Sequence, residues 1–285
     1  MMDALVHVLT SVATLRYSHS AFFSLTRLSI TPEFPARYYL DFRPQTFDLR
    51  LSREMNSAII VAAGKGTRMG PNVDKLFLEV AGRPVVAHTW QRFNDAPCID
   101  EIILVVRDGM QSAFNELAQQ FKLTKPHRFA VGGAERQDSV WNGLAALSLS
   151  TKLVAIQDGA RPCTTLEIII ATLDAARETG AAVAAQAVTD TIKETADGNT
   201  ISKNVDRSRL RAVQTPQTFR VDVIRRALAE VRSRKLHITD DTAACELIGQ
   251  PVRLVTSATP NPKVTTPADL PYISLLLAQM AEVSR

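Results

Sequence analysis

Cysteine is scarce in this sequence of 285 residues, and its positions exclude two common kinds of site. Cys98, Cys163 and Cys245 are odd in number and far apart, so they match neither a disulfide framework nor a zinc motif. Dispersed thiols are typical of proteins from a reducing compartment. Long hydrophobic runs are also missing, since none reaches the roughly 18 residues that a membrane helix needs. We therefore expect a cytoplasmic protein without membrane contacts.

The sequence has little excess charge of either sign. It contains 33 Lys and Arg residues against 29 Asp and Glu residues, with a formal net charge of +4. Nucleic-acid-binding proteins usually cluster their basic residues on one face or tail, and no such run occurs here, so no nucleic-acid partner is expected. A small anionic substrate, such as a phosphate ester, needs only a few well-placed cations. The hydrophobic share of 46% is that of an ordinary globular protein.

Residues 1–54 differ from the rest of the chain. The first thirty are rich in Ser and Thr and contain two arginines and a single acidic residue. One interpretation is an organelle transit peptide, which is Ser-rich, Arg-bearing and poor in acids, and which would direct the protein to a plastid-type organelle. The other is a disordered or mis-annotated start, because Met55 stands just before the first convincing strand. We treat 1–54 as an extension and 55–285 as the folded domain.

From Ser57 onward, short apolar runs alternate with longer segments of helical period. The strand candidates are 57–63, 101–107, 152–157, 180–188 and 251–256. The helix candidates are 84–93, 109–121, 136–147, 166–177, 221–231, 241–248 and 269–282. Strands that are apolar on both faces and alternate with amphipathic helices indicate a Rossmann-like, doubly wound α/β fold with a mostly parallel sheet. Ligands bind such sheets outside the carboxyl ends of the strands.

Residues 189–210 break this alternation. Two extended runs, 191–195 and 200–205, flank Asp197-Gly198-Asn199, and Asp-Gly between extended runs is a strong hairpin signal. A hairpin does not fit between the helical crossovers that connect parallel strands, so we expect it to protrude from the domain as an arm. Isolated hairpins are marginally stable in water, and the arm is therefore predicted to pack on a partner.

A glycine-rich stretch directly follows the first strand and reads Ala62-Ala63-Gly64-Lys65-Gly66-Thr67-Arg68-Met69-Gly70. Small residues allow backbone N–H groups to close around phosphate oxygens. Arg68 and Lys75 would add positive charge where a triphosphate lies. The structural alternative is a tight turn with two solvated cations. A dinucleotide fingerprint would require an acidic residue about 20 positions later, and Glu79 comes too early for that.

Further motifs follow in a fixed order along the chain. They are Lys75 with Phe77-Leu78, Gly132-Gly133-Ala134-Glu135-Arg136-Gln137-Asp138-Ser139-Val140, Asp158-Gly159-Ala160-Arg161-Pro162, Asp190-Thr191-Ile192-Lys193, Val205-Asp206-Arg207 with Thr215-Pro216-Gln217, and Thr239-Asp240-Asp241 with Lys263-Val264-Thr265. Each alone is weak. Together with the glycine-rich stretch they resemble the 2-C-methyl-D-erythritol 4-phosphate cytidylyltransferase family, from about Ser57 to the C-terminus.

The resemblance implies a reaction. The family joins CTP to methylerythritol phosphate, releases pyrophosphate and forms a cytidine diphosphate-linked polyol of the non-mevalonate isoprenoid pathway. The substrate phosphate attacks the α-phosphorus in line, so the enzyme mainly positions two anions and neutralises developing charge. No side-chain nucleophile is needed. Mg²⁺ is the implied cofactor, acting as a template and Lewis acid on the phosphate oxygens.

The resemblance also implies roles for individual residues. The catalytic cations would be Arg68, Lys75 and Lys263. The CTP-binding residues would be Ala62, Ala63, Gly64, Gly66, Gly133, Ser139 and Asp158. The substrate-binding residues would be Arg161, Thr191, Arg207 and Thr215. Asp158 is also the candidate metal ligand. Because the family's arm embraces a second subunit, Thr191 and Arg207 would complete the partner's pocket in a closed two-fold homodimer.

Three positions depart from the family pattern. The segment Asp74-Lys75-Leu76 stands where the family usually has Pro-Lys-Gln, and the charge of Asp74 either holds the Lys75 ammonium or weakens its pull on phosphate. Gly159 replaces a commoner Ala, which loosens the loop after Asp158.

Two alternatives stay open. A ribitol 5-phosphate cytidylyltransferase would share the mechanism, although such relatives tend to read Ala-Gly-Gly at 62–64 and to lack the Val-Asp-Arg of 205–207. A non-catalytic nucleotide-binding protein would be a different class, and Asp74 and Leu76 are its only support.

Overall fold

A seven-stranded sheet forms the centre of the part of the chain that the structure describes. The computed structural model describes residues 54–64, 66 and 74–283. The strands are β1 (Met55–Ala62), β2 (Glu79–Val80), β3 (Arg83–Pro84), β4 (Glu101–Val106), β5 (His127–Val131), β6 (Thr151–Asp158), β7 (Ala181–Ala187), β8 (Lys193–Thr195), β9 (Ile201–Asn204), β10 (Arg211–Arg220) and β11 (Arg253–Thr256). The helices are α1 (Val85–Asp95), α2 (Gln111–Gln120), α3 (Arg136–Ala145), α4 (Leu166–Thr179), α5 (Val221–Ser233), α6 (Asp241–Leu247) and α7 (Asp269–Val283).

The strand order places β1 at a reversal of the winding. The order is β11-β7-β10-β6-β1-β4-β5. The chain passes from β1 to β4 and β5 on one side, then returns to form β6 on the other, and the pairings among these four strands are parallel. Such a reversal creates a crevice at the carboxyl ends of the strands. The predicted Rossmann-like, mostly parallel sheet is confirmed.

Both faces of the sheet are covered by helices, as the apolar strands predict. Ala58 and Ile60 of β1 face one layer, formed by α1, α2, α4 and α7, whereas Ile59 faces the other, formed by α3, α5 and α6. Phe93 of α1 is fully buried, and complete burial of such a side chain contributes roughly 1.5–3 kcal/mol. The two cores hold the ends of β1 and β6 rigidly beneath the candidate site.

Capping residues fix the starts of the helices that frame the crevice. α3 begins with a capping box in which Glu135 and Asp138 exchange bonds with backbone N–H groups. α6 begins after Asp240, whose carboxylate accepts from the Ala243 N–H at 3.0 Å. The first residues of these helices, Arg136 and Asp241, are thereby placed at defined positions.

Two strands of the sheet are absent from the predicted set. β10 runs antiparallel to both β6 and β7 and is rich in buried polar residues, including Thr215 and Gln217. It also contains Pro216, which follows a cis peptide bond, and a proline inside a run argues against a strand. β5 is short and only partly buried. Neither has the continuous apolar run that marks the others.

The hairpin predicted at 189–210 is confirmed. β8 and β9 pair antiparallel, with Lys193 opposite Asn204. The carboxylate of Asp197 closes the turn by accepting from the N–H groups of Asn199 at 2.9 Å and Thr200 at 2.7 Å. All residues of the two strands are exposed, and Ile201 retains 65% of its accessible surface. The packing of this arm on a partner stays a prediction.

The remaining predictions about the whole chain concern its N-terminus and membranes. The extension proposed at 1–54 lies outside the described residues, apart from Glu54. Within 54–64, 66 and 74–283, no helix combines the length and apolar character needed to cross a bilayer.

Candidate active site

A cleft of about 720 Å³ opens at the carboxyl ends of β1 and β6. Its walls are the loop after β1, the loop before α3, the end of β6 and the segment around Lys263. A second cleft of about 610 Å³ lies near Leu149 and Arg220 and contains none of the predicted site residues. The first cleft is the candidate site because it lies where the winding of the sheet reverses and brings the predicted residues together.

The loop after β1 provides one wall. Gly66 has a φ of 62°, and a Cβ added to it would lie 3.0 Å from Cγ of Lys75, so the Lys75 side chain passes directly over this glycine. The Nζ of Lys75 donates to the Val264 carbonyl at 3.1 Å. The side chain of Ala62 packs in the core, which leaves its backbone for any ligand. Arg68 lies outside the described residues, and its role stays a prediction.

Direct contact between two glycine-containing loops shapes the neighbouring wall. A Cβ on Gly132 would lie 2.2 Å from Cβ of Ala63, so only glycine allows the two loops to meet. The Ser139 hydroxyl accepts from the Gly133 N–H and donates to the Glu135 carbonyl, both at 3.1 Å. Ser139 therefore shapes its own loop. Its predicted contact with cytosine is not shown by this geometry and stays a prediction.

Asp158 lies at the floor of the cleft among three cations. Lys263 Nζ is 2.6 Å from Oδ2, Arg136 Nε is 3.3 Å from Oδ1, and Arg161 Nε is 3.8 Å from Oδ2. Burial alone would raise the pKa of Asp158, but the charges of Arg136 and Lys263 outweigh it and hold the pKa well below its usual range. The site thus contains an ionised carboxylate and a surplus of positive charge, which suits a polyanionic ligand.

Arg136 links Asp158 to a second carboxylate. Its Nη1 is 2.8 Å from Oδ2 of Asp241, which is fully buried at the start of α6. Gln217 of β10 accepts from the Asp241 N–H at 3.0 Å and donates to Asp240 at 2.9 Å. Sequence reasoning included these residues in its motifs without assigning them roles. Arg136 and Asp241 are 105 positions apart, and no spacing rule indicates that they pair.

A buried hydrogen-bonded chain supports the other side of Asp158. The N–H of Asp158 donates to Oγ1 of Thr215 at 3.1 Å. The amide of Asn261 donates to the Thr215 carbonyl at 2.8 Å, and the Asn261 carbonyl accepts from Arg161 at 2.7 Å. Asn261, which is 1% exposed, was missed by sequence reasoning. Thr215 and Arg161 are held beside Asp158, and their contacts with substrate stay predictions.

The charge of Asp74 is balanced by an arginine that sequence reasoning also missed. The Asp74 carboxylate forms an ion pair with Arg107, which directly follows β4. Asp74 also accepts from the Leu76 N–H at 3.1 Å, and Arg107 donates to the Gly64 carbonyl at 3.4 Å. The departure from the family pattern at Asp74 is therefore accompanied by a local partner of opposite charge.

The predicted arm residues do not line the cleft of their own chain. Thr191 is exposed. Arg207 is exposed at the start of a short 3₁₀ helix and donates to the Thr189 carbonyl. This placement leaves both side chains on the arm, away from the Asp158 cluster.

The chemistry of the donor set fits a divalent cation that is bound mainly through substrate. Among the described residues, no group of three or more His, Cys, Asp or Glu side chains could enclose a metal. Mg²⁺ commonly binds through one or two carboxylates together with substrate phosphates and waters. Asp158 is a carboxylate of this kind on the cleft floor.

The fold and the cleft together define a class of protein. A glycine-containing loop after the first strand, at the reversal of a doubly wound sheet, offers backbone groups to phosphates. Fixed cations beside it are suited to stabilising charge on a transferring phosphoryl group. The class is that of the nucleotidyltransferases.

Comparisons with known proteins identify the family. The family model described as IspD, 2-C-methyl-D-erythritol 4-phosphate cytidylyltransferase, matches residues 56–279. A protein of that name from Alkaliphilus oremlandii is 41% identical over 215 residues, which are 75% of this chain and 91% of the relative. Another, from Geobacillus thermodenitrificans, is 40% identical over 221 residues, which are 78% of this chain and 96% of the relative.

Solved structures agree with the sequence comparisons. The 4-diphosphocytidyl-2C-methyl-D-erythritol synthase of Anaerococcus prevotii is 30% identical, with a TM-score of 0.70 over 79% of this chain and 96% of that one. The cytidylyltransferase of Thermus thermophilus is 31% identical, with a TM-score of 0.62 over 77% and 98%. The chain belongs to the 2-C-methyl-D-erythritol 4-phosphate cytidylyltransferase (IspD) family.

The family predicted from the motifs is thus confirmed, and with it the prediction of a nucleotidyltransferase. The relatives named above are bacterial, so they give no support to the interpretation of residues 1–54 as an organelle transit peptide.

Proposed function

We propose that the protein transfers CMP from CTP to 2-C-methyl-D-erythritol 4-phosphate, giving 4-diphosphocytidyl-2-C-methyl-D-erythritol and pyrophosphate in the non-mevalonate pathway. The observation that carries the proposal is the cluster of Arg136, Arg161 and Lys263 around Asp158, with Lys75 lining the same cleft. The excess of positive charge around this cleft favours the binding of two anionic substrates.

The chemistry is an in-line displacement at phosphorus. A phosphate oxygen of the polyol substrate forms a bond to the α-phosphorus of CTP, while the bond from that phosphorus to the bridging oxygen of pyrophosphate breaks. The electron pair of the broken bond leaves with pyrophosphate. Lys75, Lys263 and Arg68 would neutralise the negative charge that grows on the phosphate oxygens. Because the attacking phosphate is already anionic, no protein base is required.

Recognition of CTP would use mainly backbone groups. N–H groups of Ala63, Gly64 and Gly66 would bind the triphosphate, and the loop that contains Gly133 and Ser139 would read cytosine. The close contact between Gly132 and Ala63 supports this arrangement, because it holds the two loops together. Asp158 would be the protein ligand of a Mg²⁺ ion, which would supply Lewis-acid stabilisation of the phosphate charge.

The polyol phosphate would be held by Arg161 and Thr215 together with a second copy of the chain. Arg161 has a planar guanidinium that can bind a phosphate through two parallel hydrogen bonds. We propose a closed two-fold homodimer in which the 189–210 arm places Thr191 and Arg207 in the neighbouring site. The exposed Ile201 on the arm supports this proposal, since a dimer would cover it. We place the enzyme in the cytoplasm.

The test is pyrophosphate release by the full chain with CTP and Mg²⁺. Methylerythritol 4-phosphate and ribitol 5-phosphate are offered separately, and the nucleotide product is identified by mass spectrometry. Release with methylerythritol 4-phosphate alone is the expected result. Release with ribitol 5-phosphate alone would move the enzyme to the pentitol class, and CTP binding without release would favour the non-catalytic alternative.

A further inference from the structure

Arg136 lies between two carboxylates that come from separate parts of the fold. Its Nε is directed at Oδ1 of Asp158 at the end of β6, and its Nη1 is directed at Oδ2 of Asp241 at the start of α6. A lysine has one charged nitrogen and cannot reproduce this arrangement, because only the planar guanidinium offers separate donors in a fixed geometry.

Asp241 is a rigid anchor for this arginine. It is fully buried, and its own N–H is held by Gln217. In the part of the chain that the structure describes, its Oδ1 has no hydrogen-bond partner. The charge of Asp241 is therefore compensated by Arg136 through Oδ2. Removing the partner of a buried carboxylate is strongly destabilising. Arg136, which lines the cleft, is thus held by a residue that does not line it.

Lys263 has two competing partners in the proposed reaction. In this structure its Nζ is 2.6 Å from Oδ2 of Asp158. The proposed function requires the same ammonium group at the phosphates of CTP. When Lys263 turns to the phosphates, Asp158 loses a close cation while remaining only 8% exposed. The proposed Mg²⁺ would compensate this charge once it is bound. Until then a cation that stays beside Asp158 must do so, because an isolated buried carboxylate is costly.

We propose that Arg136, anchored by Asp241, is a positioning residue that holds Asp158 and compensates its charge while Lys263 binds the reacting phosphates. The inference rests on the proposed function. Arg161 is less suited to this task, since its Nε is 3.8 Å from Asp158 and its Nη1 is bonded to the Asn261 carbonyl. Arg136 thereby makes Lys263 available for catalysis without touching the substrate phosphates itself.

The test compares Arg136→Lys, Asp241→Asn and Lys263→Ala, singly and in pairs, in the full chain. Arg136→Lys keeps the charge and loses the bridge, and we expect kcat to fall about 10- to 100-fold, as is usual when a supporting residue is removed. The KM for CTP should change far less than kcat. Asp241→Asn is nearly isosteric and removes the carboxylate that pairs with Arg136. It should also lower kcat.

The decisive readout is the behaviour of the pairs. If Arg136 acts through Lys263, Arg136→Lys should have little further effect in a Lys263→Ala background, because residues acting as one unit are not additive. The matched control is Arg232→Lys, which alters an exposed arginine that pairs with Asp138 of α3 at 3.4 Å, and its kcat should equal that of the wild type. Circular dichroism and thermal melting measure the folded fraction of each variant.

Three results would overturn the inference. They are an unchanged kcat in Arg136→Lys, an equal fold-loss with and without Lys263, and a loss of kcat that matches the loss of folded protein. The wild-type assay separates this inference from the proposed function. No wild-type turnover would reject both, whereas normal wild-type turnover with unaffected or fully additive variants would reject the role of Arg136 alone.

Discussion

Arg107 and Asp74 form an ion pair that joins the end of β4 to the segment carrying Lys75. The pair is partly exposed, with 29% and 23% of the two side chains accessible, so water screens its contribution to stability. Its effect on function is a different matter. Without this ion pair, the uncompensated negative charge of Asp74 would lie one residue from Lys75, the proposed catalytic lysine.

Arg107→Gln should therefore lower kcat/KM more than Asp74→Asn does. The first change leaves the Asp74 charge without its arginine, whereas the second removes that charge and can keep the bond from the Leu76 N–H. The double variant should recover part of the activity that Arg107→Gln loses. Steady-state kinetics on the three variants measures this, and a double variant no better than Arg107→Gln would show that the Asp74 charge does not matter.

Lys75→Ala should lower kcat by about 100-fold or more while CTP affinity falls much less. The expected reason is that the Lys75 charge stabilises the α-phosphorus most strongly in the transition state. Single-turnover kinetics and CTP titration calorimetry separate the two quantities. Lys152→Ala, at the second cleft, is the control and should leave both unchanged. Equal losses of kcat and affinity would make Lys75 a ground-state binding residue.

Gly132→Ala should destabilise the fold by roughly 1–3 kcal/mol, as overpacking a filled site usually does. The added Cβ would lie 2.2 Å from Ala63, and the two loops must separate to admit it. Gly64→Ala is the matched control for stability, because its Cβ would meet nothing within 4 Å. Thermal melting compares the two. Equal melting temperatures would mean that the loops part freely.

Arg207→Ala should raise the KM for the polyol phosphate and leave CTP binding intact. The cross-subunit proposal has a sharper test in subunit mixing. A dimer of one Arg207→Ala chain and one Lys75→Ala chain contains one site with both residues intact, so mixing and reassociating the two variants should restore turnover. Mixtures that stay as inactive as their components, with dimers verified by ultracentrifugation, would place Arg207 in its own chain's site.

Glu101 should make stability depend on pH. It is 6% exposed and accepts from Ser57, the Ser148 N–H and Arg128. Burial raises its pKa, but these bonds outweigh burial and hold the pKa below the ordinary value of 4.5. Because the pKa of Glu101 is lower in the folded state, its charge stabilises the fold at pH values above the unfolded-state pKa. That contribution disappears as the pH falls through the folded-state pKa.

Glu101→Gln should consequently melt below the wild type at pH 7, and the gap should narrow as the pH falls below about 4.5. Melting temperatures measured across this range provide the check. Glu178→Gln, which alters an exposed ion pair with Arg253, is the control and should shift the melting temperature little at any pH. A gap for Glu101→Gln that is constant with pH would assign its effect to packing instead of charge.

The sequence predicts the buried parallel strands well, because strands covered on both faces must be apolar throughout. It fails for β10, whose buried Thr215 and Gln217 look like loop residues. Their polar groups are satisfied by Asp158, Asn261 and Asp240, which are distant in sequence. These hydrogen bonds form only when the chain has folded, so no local sequence pattern reveals them.

The same limit applies to the candidate site. Motifs led to Lys75, Asp158 and Lys263, which the structure brings to one cleft. They gave no indication that Arg107 balances Asp74 or that Arg136 bridges Asp158 and Asp241. Motif order indicates which residues belong to the site. Which of them pair depends on side-chain directions that only the folded backbone defines.

The direction of β10 decides where the arm is rooted. β7 ends at the carboxyl edge of the sheet, and because β10 is antiparallel to it, β10 begins at that same edge. A parallel β10 would have required the chain between them to cross to the opposite edge. With the observed direction, residues 189–210 leave and re-enter the fold at the rim of the catalytic face. The arm can therefore change in length or sequence while every helix crossover stays in place. The proposed reach of one subunit towards another can evolve separately from the sheet beneath the cleft.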